Sequence, residues 1–156
     1  MTNFKKDEVF QICEQLIQND WQALSHLYHV APLGEKPVDW LKTVFENSRF
    51  QCFVYHNEIL IGAGRMLADG LDCAYLCDLA VHPNYQGQGV GKRIVNYLVK
   101  CSEGHRKVIL YAVPGMESFY RRCGFHSMTT AMARFSDYDK ALCNGLLHAE
   151  EQGEAD

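Results

Sequence analysis

The stretch between residues 73 and 101 constrains the fold of this chain more than any other part. Cys73 to Val81 (CAYLCDLAV) is an apolar run of strand length, and Val90, Ile94, Val95 and Leu98 recur at helical spacing. His82-Pro83-Asn84 ends the strand, because Pro83 supplies no ladder donor. Gln86-Gly87-Gln88-Gly89-Val90-Gly91-Lys92 then carries the chain into a helix running from about Gly89 to Cys101. Glycines there let the backbone approach a ligand closely, and the N–H groups of a helix N-terminus form an anion site. The competing reading is a tight turn with several residues at positive φ. A phosphate-bearing ligand is the direct chemical implication.

The rest of the chain frames this unit. Asp20 can cap a helix beginning at Trp21, with Trp21, Leu24, Leu27 and Tyr28 on one face. Val9 to Ile17 reads equally as a short strand or a helix. Pro37, at a first-turn position, opens a second helix with Trp40, Leu41, Val44 and Phe45 as its apolar stripe. From Phe50 the period changes: Phe50 to Tyr55 and Ile59 to Leu67 read as strands around a His56-Asn57-Glu58 break. Asp69-Gly70 is a further turn, leading into the strand from Cys73. Lys107 to Tyr111 reads as a short buried strand. Pro114-Gly115 opens a helix that stops at Gly124, and Phe125 to Phe135 reads as one or two closing strands. The expected fold is α/β or α+β: one domain over residues 1–150, with a mixed, mostly antiparallel sheet flanked by helices. Residues 151–156 read as a frayed acidic tail.

Composition removes several function classes. A chain of 156 residues with 47% hydrophobic and 22% charged residues is of globular type and holds one domain. A net charge of −4 argues against a nucleic-acid binder with a broad basic surface. No stretch approaches the ~20 apolar residues of a membrane span, and the first ten residues lack a signal-peptide core. The seven cysteines are scattered except for Cys73 and Cys77, which have no second pair to complete a zinc site. They read as reduced cytoplasmic thiols, mostly buried, with no metal expected.

Two familiar phosphate motifs fail on residues. A P-loop needs glycine where this chain has Gln86, and Ser or Thr where it has Arg93. The dinucleotide fingerprint meets Lys92 or Ile94 where its third glycine belongs. What fits is Gln-x-x-Gly-x-Gly after a strand ending Asp-Leu-Ala-Val-His-Pro. In this the chain resembles the GNAT superfamily of acyl-CoA-dependent N-acyltransferases, whose signature is Arg or Gln, two residues, Gly, one residue, then Gly or Ala. A second block, Phe119-Tyr120-Arg121-Arg122-Cys123-Gly124-Phe125, matches the family's Phe-Tyr-x-x-x-Gly-Phe. The resemblance covers roughly Phe50 to Phe135.

The resemblance implies acetyl-CoA as co-substrate, with the amides of Gln86, Gly87, Gln88, Gly89, Val90, Gly91 and Lys92 on its pyrophosphate. It implies that the main chain of Leu79, Ala80 and Val81 pairs with the pantetheine arm, their side chains being core. It also implies that Tyr120 lies near the thioester sulfur, where a phenol can protonate a departing thiolate. The bland reading of Tyr120 is ring packing against Phe119. Tyr75 and Cys77 fall at positions that line the family's substrate site, and neither is a carboxylate or a histidine. On a regular strand they share a face with Leu79 and Val81 while Asp78 faces the other way. A bulge would bring Asp78 into play. Ala112 stands where many relatives have an asparagine for the pantetheine arm.

The activity implied is direct transfer of an acetyl group to a primary amine of a small molecule or peptide, by a monomer or homodimer. A CoA-binding sensor without turnover is the alternative. An acidic chain mildly favours cationic amines, although net charge says little about one pocket. Trp21, Tyr28 and Trp40 read as core more readily than as a substrate box.

Overall fold

In the computed structural model, which describes residues 9–149, the change of period at Phe50 marks the start of the main sheet. The described residues form two units, one ending at Leu110 and one beginning at Tyr111. The tail expected over 151–156 lies outside the described residues.

The first unit holds five strands: β1 (Gln11–Cys13), β2 (Phe50–His56), β3 (Ile59–Ala68), β4 (Cys73–Val81) and β5 (Lys107–Ile109). They lie in sequence order, antiparallel except for the β4–β5 pair. Asn57 and Glu58 both take left-handed backbone, φ 48° and 63°, and close the β2–β3 hairpin in two residues. Asp69 Oδ1 accepts the amides of Leu71 and Asp72 at 2.8 Å and so pins the β3–β4 turn. The ambiguous segment before Trp21 resolves into β1 and a short turn at Ile17–Asn19.

Helices cover both faces of this sheet. On one face α1 (Trp21–Val30), capped by Asp20 accepting the Ala23 amide at 3.0 Å, packs with α2 (Val38–Glu46). Their shared core centres on Phe45, whose ring meets those of Trp21, Tyr28 and Phe53 at 5.5–6.4 Å. Pro37 sits one place earlier than expected, as the N-cap of α2. Trp40 leaves the expected stripe. It is 42% exposed with the Lys36 ammonium 4.5 Å over its ring, while Leu41 and Phe45 fill the core.

On the other face lies α3 (Val90–Cys101), burying Val90, Ile94, Val95 and Leu98 as its spacing requires. Gly62 and Gly64 of β3 make room for it. A Cβ on Gly64 would stand 2.9 Å from Ile94 Cγ2 and 3.1 Å from Leu98 Cδ1. A valine at position 64 is therefore expected to cost about 1–3 kcal/mol by overpacking. Thermal melting checks this, as a fall of roughly 2–12 °C for a chain of this size.

The β3–β4 ladder is irregular in one place. Ala63 pairs with Ala80 and Arg65 with Cys77, so Gly64 alone opposes Asp78 and Leu79. Asp78, at φ 51°, is the extra residue of a β-bulge. This corrects the regular-strand face assignment. Cys77, opposite Arg65, and Asp78 both face the α1–α2 side, whereas Leu79 faces α3 beside Gly64. Strand β5 is shorter than expected and less buried, with Lys107 exposed.

The second unit contains α4 (Glu117–Arg122), ended by Gly124 at φ 90°, and α5 (Tyr138–Cys143), capped by Asp137. The closing strands expected over Phe125–Phe135 do not form: the segment is irregular and largely exposed. A strand needs a partner, and among the described residues this unit contributes only two short helices.

Candidate active site

The end of β4 is built to receive something. Strand β5 pairs only with Cys73–Tyr75, so among the described residues Leu76–Val81 has no ladder partner on that edge. Ala80 is buried and Leu79 and Val81 are half-buried. The Val81 carbonyl accepts Gln86 Nε2 at 3.2 Å, so one of the groups expected for the pantetheine arm is met from within the chain. Apart from the Asp78 carbonyl, which accepts the Tyr28 hydroxyl, this unladdered edge offers main-chain groups to an added strand.

The loop that follows is held open. His82 Nδ1 accepts the Asn84 amide at 3.1 Å and starts a single 3-10 turn, Pro83–Tyr85. Gln88 folds back to donate Nε2 to the Asn84 carbonyl at 3.0 Å. Gly87 and Gly89 take φ 75° and 82°, and a Cβ on either would meet nothing within 4 Å. The first main-chain bond of α3 runs from Arg93 N–H to the Gly89 carbonyl, 3.0 Å. The amides of Val90, Gly91 and Lys92 therefore precede any intrahelical acceptor, and Gly89 has no side chain to cap them. Left-handed glycine, open space and orphan donors together fit a pyrophosphate.

Beside this edge the bulge brings an ion cluster together. Arg65 Nε donates to Asp78 Oδ2 at 2.6 Å, and Lys36 Nζ lies 3.4 Å from Oδ1. Tyr28 donates its hydroxyl to the Asp78 carbonyl at 2.6 Å, holding the strained backbone. Asp78 is thus engaged by two cations rather than free as a base. Neighbouring Cys77 is pushed up to about 11 by burial, so its thiol stays protonated at neutral pH.

In the second unit Tyr120 stands between Phe119 and Phe125, ring centroids 5.0 and 6.1 Å away and nearly perpendicular. The packing reading is therefore satisfied. Burial, with Cys123 as a smaller contributor, also pushes the phenol up to about 12, which keeps it a proton donor across the working pH range.

A protein-family model described as an acetyltransferase (GNAT) domain matches residues 48–127, from just before β2 through α4. The chain belongs to the GNAT family. An uncharacterized ycf52-like N-acetyltransferase of Prochlorococcus marinus is 30% identical over 125 residues, 76% of this chain and 69% of the relative. An uncharacterized ycf52 N-acetyltransferase of Pyropia yezoensis is 28% identical over 140 residues, 79% and 80% of the two chains. A crystal structure of a probable acetyltransferase from meticillin-resistant Staphylococcus aureus shares the fold, with TM-score 0.74 and 22% identity. It covers 83% of this chain and 100% of that one. The protein is a GNAT acetyltransferase, and acetyl-CoA is the family's usual co-substrate.

Of the residues singled out in the sequence, this GNAT chain places Leu79–Val81 and Gln86–Lys92 on one continuous path along β4 into α3. Tyr75 and Cys77 lie on the α1–α2 face next to the bulge. Sequence reasoning missed Lys36 and Arg65, and it read Tyr28 as core without its bond to the Asp78 carbonyl. Arg65 carried a signal, as the one charged residue of an otherwise apolar strand. Of the cysteines only Cys52 is fully buried, fewer than expected, and Cys143 is exposed. Among the described residues no three His, Cys, Asp or Glu side chains converge. No helix there is long and apolar enough to cross a membrane.

Proposed function

We propose that the protein transfers an acetyl group from acetyl-CoA to a primary amine by direct attack. The observation that carries this reading is the path from the β4 edge, which lacks a ladder partner among the described residues beyond Tyr75, to the orphan amides of α3. Acetyl-CoA supplies the activated acyl group when bound. Leu79, Ala80 and Val81 offer their main chain to its arm. The segment Gln86, Gly87, Gln88, Gly89, Val90, Gly91, Lys92 offers amides to its pyrophosphate. Tyr120 holds the proton for the departing thiolate, a role its raised titration suits. Tyr75 and Cys77 line the acceptor side. The work is cytoplasmic and calls for no metal. Residues 1–150 act as one domain, alone or as a homodimer.

The state of Cys77 supports direct attack. A thiol near 11 is a poor nucleophile at neutral pH, and Cys77 Sγ donates to the Tyr75 carbonyl at 3.5 Å rather than to a base. Cys77→Ser is expected to keep turnover within about threefold. A loss beyond a hundredfold, read by thiol release, would instead indicate an acyl-enzyme.

One observation favours a sensor without turnover: Asp78 is the carboxylate of β4, and Arg65 and Lys36 hold it. A thiol-release screen over small amines, amino acids, polyamines and peptide N-termini separates the two readings. Turnover with any amine removes the sensor; CoA-induced thermal stabilisation with no turnover across all classes removes the enzyme.

A further inference from the structure

The ion cluster beneath the bulge is unbalanced. Lys36 and Arg65 share one carboxylate, and their side chains are only 16% and 12% exposed, that of Asp78 18%. No other carboxylate pairs with either cation among the described residues. Packing holds the Lys36 ammonium without neutralising it, 4.5 Å over the Trp40 ring and 5.4 Å over Tyr28. Arg65 spends Nε on Asp78 and Nη1 on Ser48 Oγ at 3.3 Å, and among the described residues no carboxylate beyond Asp78 meets its guanidinium. Among the described residues no side-chain N or O is both buried and unpartnered, and the Arg65 side chain keeps its 12% exposure at this place. A surplus cation in a partly desolvated place is a site for an anion.

Its position gives the anion a role, on the proposed reading of the cofactor path. A pantetheine arm that starts at the α3 N-terminus and follows the β4 edge runs back toward the bulge. The four steps from Val81 to Cys77 span about 13 Å at ~3.3 Å each. The α3 face is closed there by Leu79, Ile94 and Leu98 around Gly64. The opposite face, although α1 and α2 cover much of it, keeps Asp78, Arg65 and Lys36 partly exposed beside Cys77, and an amine that meets the end of the arm from that side meets them.

We infer that Lys36 and Arg65 form an anion subsite for the acceptor, which is an amine bearing a carboxylate or phosphate close to its amino group. The net charge of −4 does not oppose this, because the local surplus is positive and lies within a few ångströms of the site.

Matched pairs test the inference: amino acids against their amides, and O-phosphoethanolamine against ethanolamine, each with saturating acetyl-CoA. The anionic member is expected to be preferred about tenfold or more in kcat/KM. Lys36→Gln should cut that preference about tenfold through KM, and Lys36→Arg should retain it. Comparing ratios between proteins cancels the differing basicity of the amines, and the two pairs distinguish carboxylate from phosphate. Equal losses for both members of a pair would overturn the subsite. A second readout does not need turnover. In CoA-saturated Trp21→Phe protein, Trp40 emission is followed during titration with acetate or inorganic phosphate at constant ionic strength. A saturable change that Lys36→Gln abolishes is expected, and its absence overturns the subsite. Turnover without anion preference leaves the transferase reading standing and the subsite fallen. A saturable Trp40 change with no amine turned over does the reverse.

Discussion

Tyr120→Phe is expected to lower kcat on the order of 10²–10³-fold, the range of a positioned general acid, while CoA affinity stays at the wild-type value. The substitution keeps the ring between Phe119 and Phe125, so packing survives and only the hydroxyl is lost. The pH profile tells proton donation from packing. Because burial raises the phenol to about 12, wild-type kcat should carry no alkaline limb near 10, the ordinary tyrosine value. The sign for stability agrees. A group protonated more tightly in the folded state contributes its share fully below pH 10 and loses it as pH rises toward 12. If Tyr120→Phe turned over like wild type, Tyr120 would be a packing residue. The thiolate would then leave without help from it.

The regular parts of the active-site unit were legible because periodicity reports burial directly. The bounds of β4 and the four inward residues of α3 follow from an apolar run and a 3.6-residue spacing. Gln86–Lys92 announced its backbone, since glycine is the residue that marks left-handed φ. The bulge did not announce itself. Asp78 adopts φ 51° as an ordinary side chain, held by a Tyr28 hydroxyl and by Lys36 and Arg65, partners distant along the chain. Such a contact set leaves no local pattern, so the face of Asp78 had to be read from the register. Trp40 shows the limit of periodicity at a helix edge: its spacing fits the stripe, but Lys36 covers the ring where core would have been. Phe125 to Phe135 misled for the opposite reason. Strand-forming residues express a preference that only a neighbouring edge can satisfy.

The largest effect on cofactor binding is expected at Gly89. Valine there meets two separate penalties, and a second glycine makes it possible to part them. At φ 82° a β-branched residue is strained by about 1–2 kcal/mol, whatever space surrounds it. Gly104, after the other end of α3, has φ 96° and equally open surroundings, so Gly104→Val carries similar strain with no ligand at stake. Both variants should melt a few degrees below wild type. They should differ once CoA is added. CoA at a hundred times its Kd stabilises the native state by about 2.7 kcal/mol. That is a rise of roughly 5–10 °C in Tm for a chain of this size. Gly104→Val should keep that rise. Gly89→Val should lose it, because the valine methyls would fill the open space around Gly89, the residue that leads into the amides of Val90, Gly91 and Lys92. Its KM for acetyl-CoA should climb by two orders of magnitude or more. A Gly89→Val protein with the wild-type CoA shift would move the pyrophosphate away from the α3 N-terminus, and with it the path along β4.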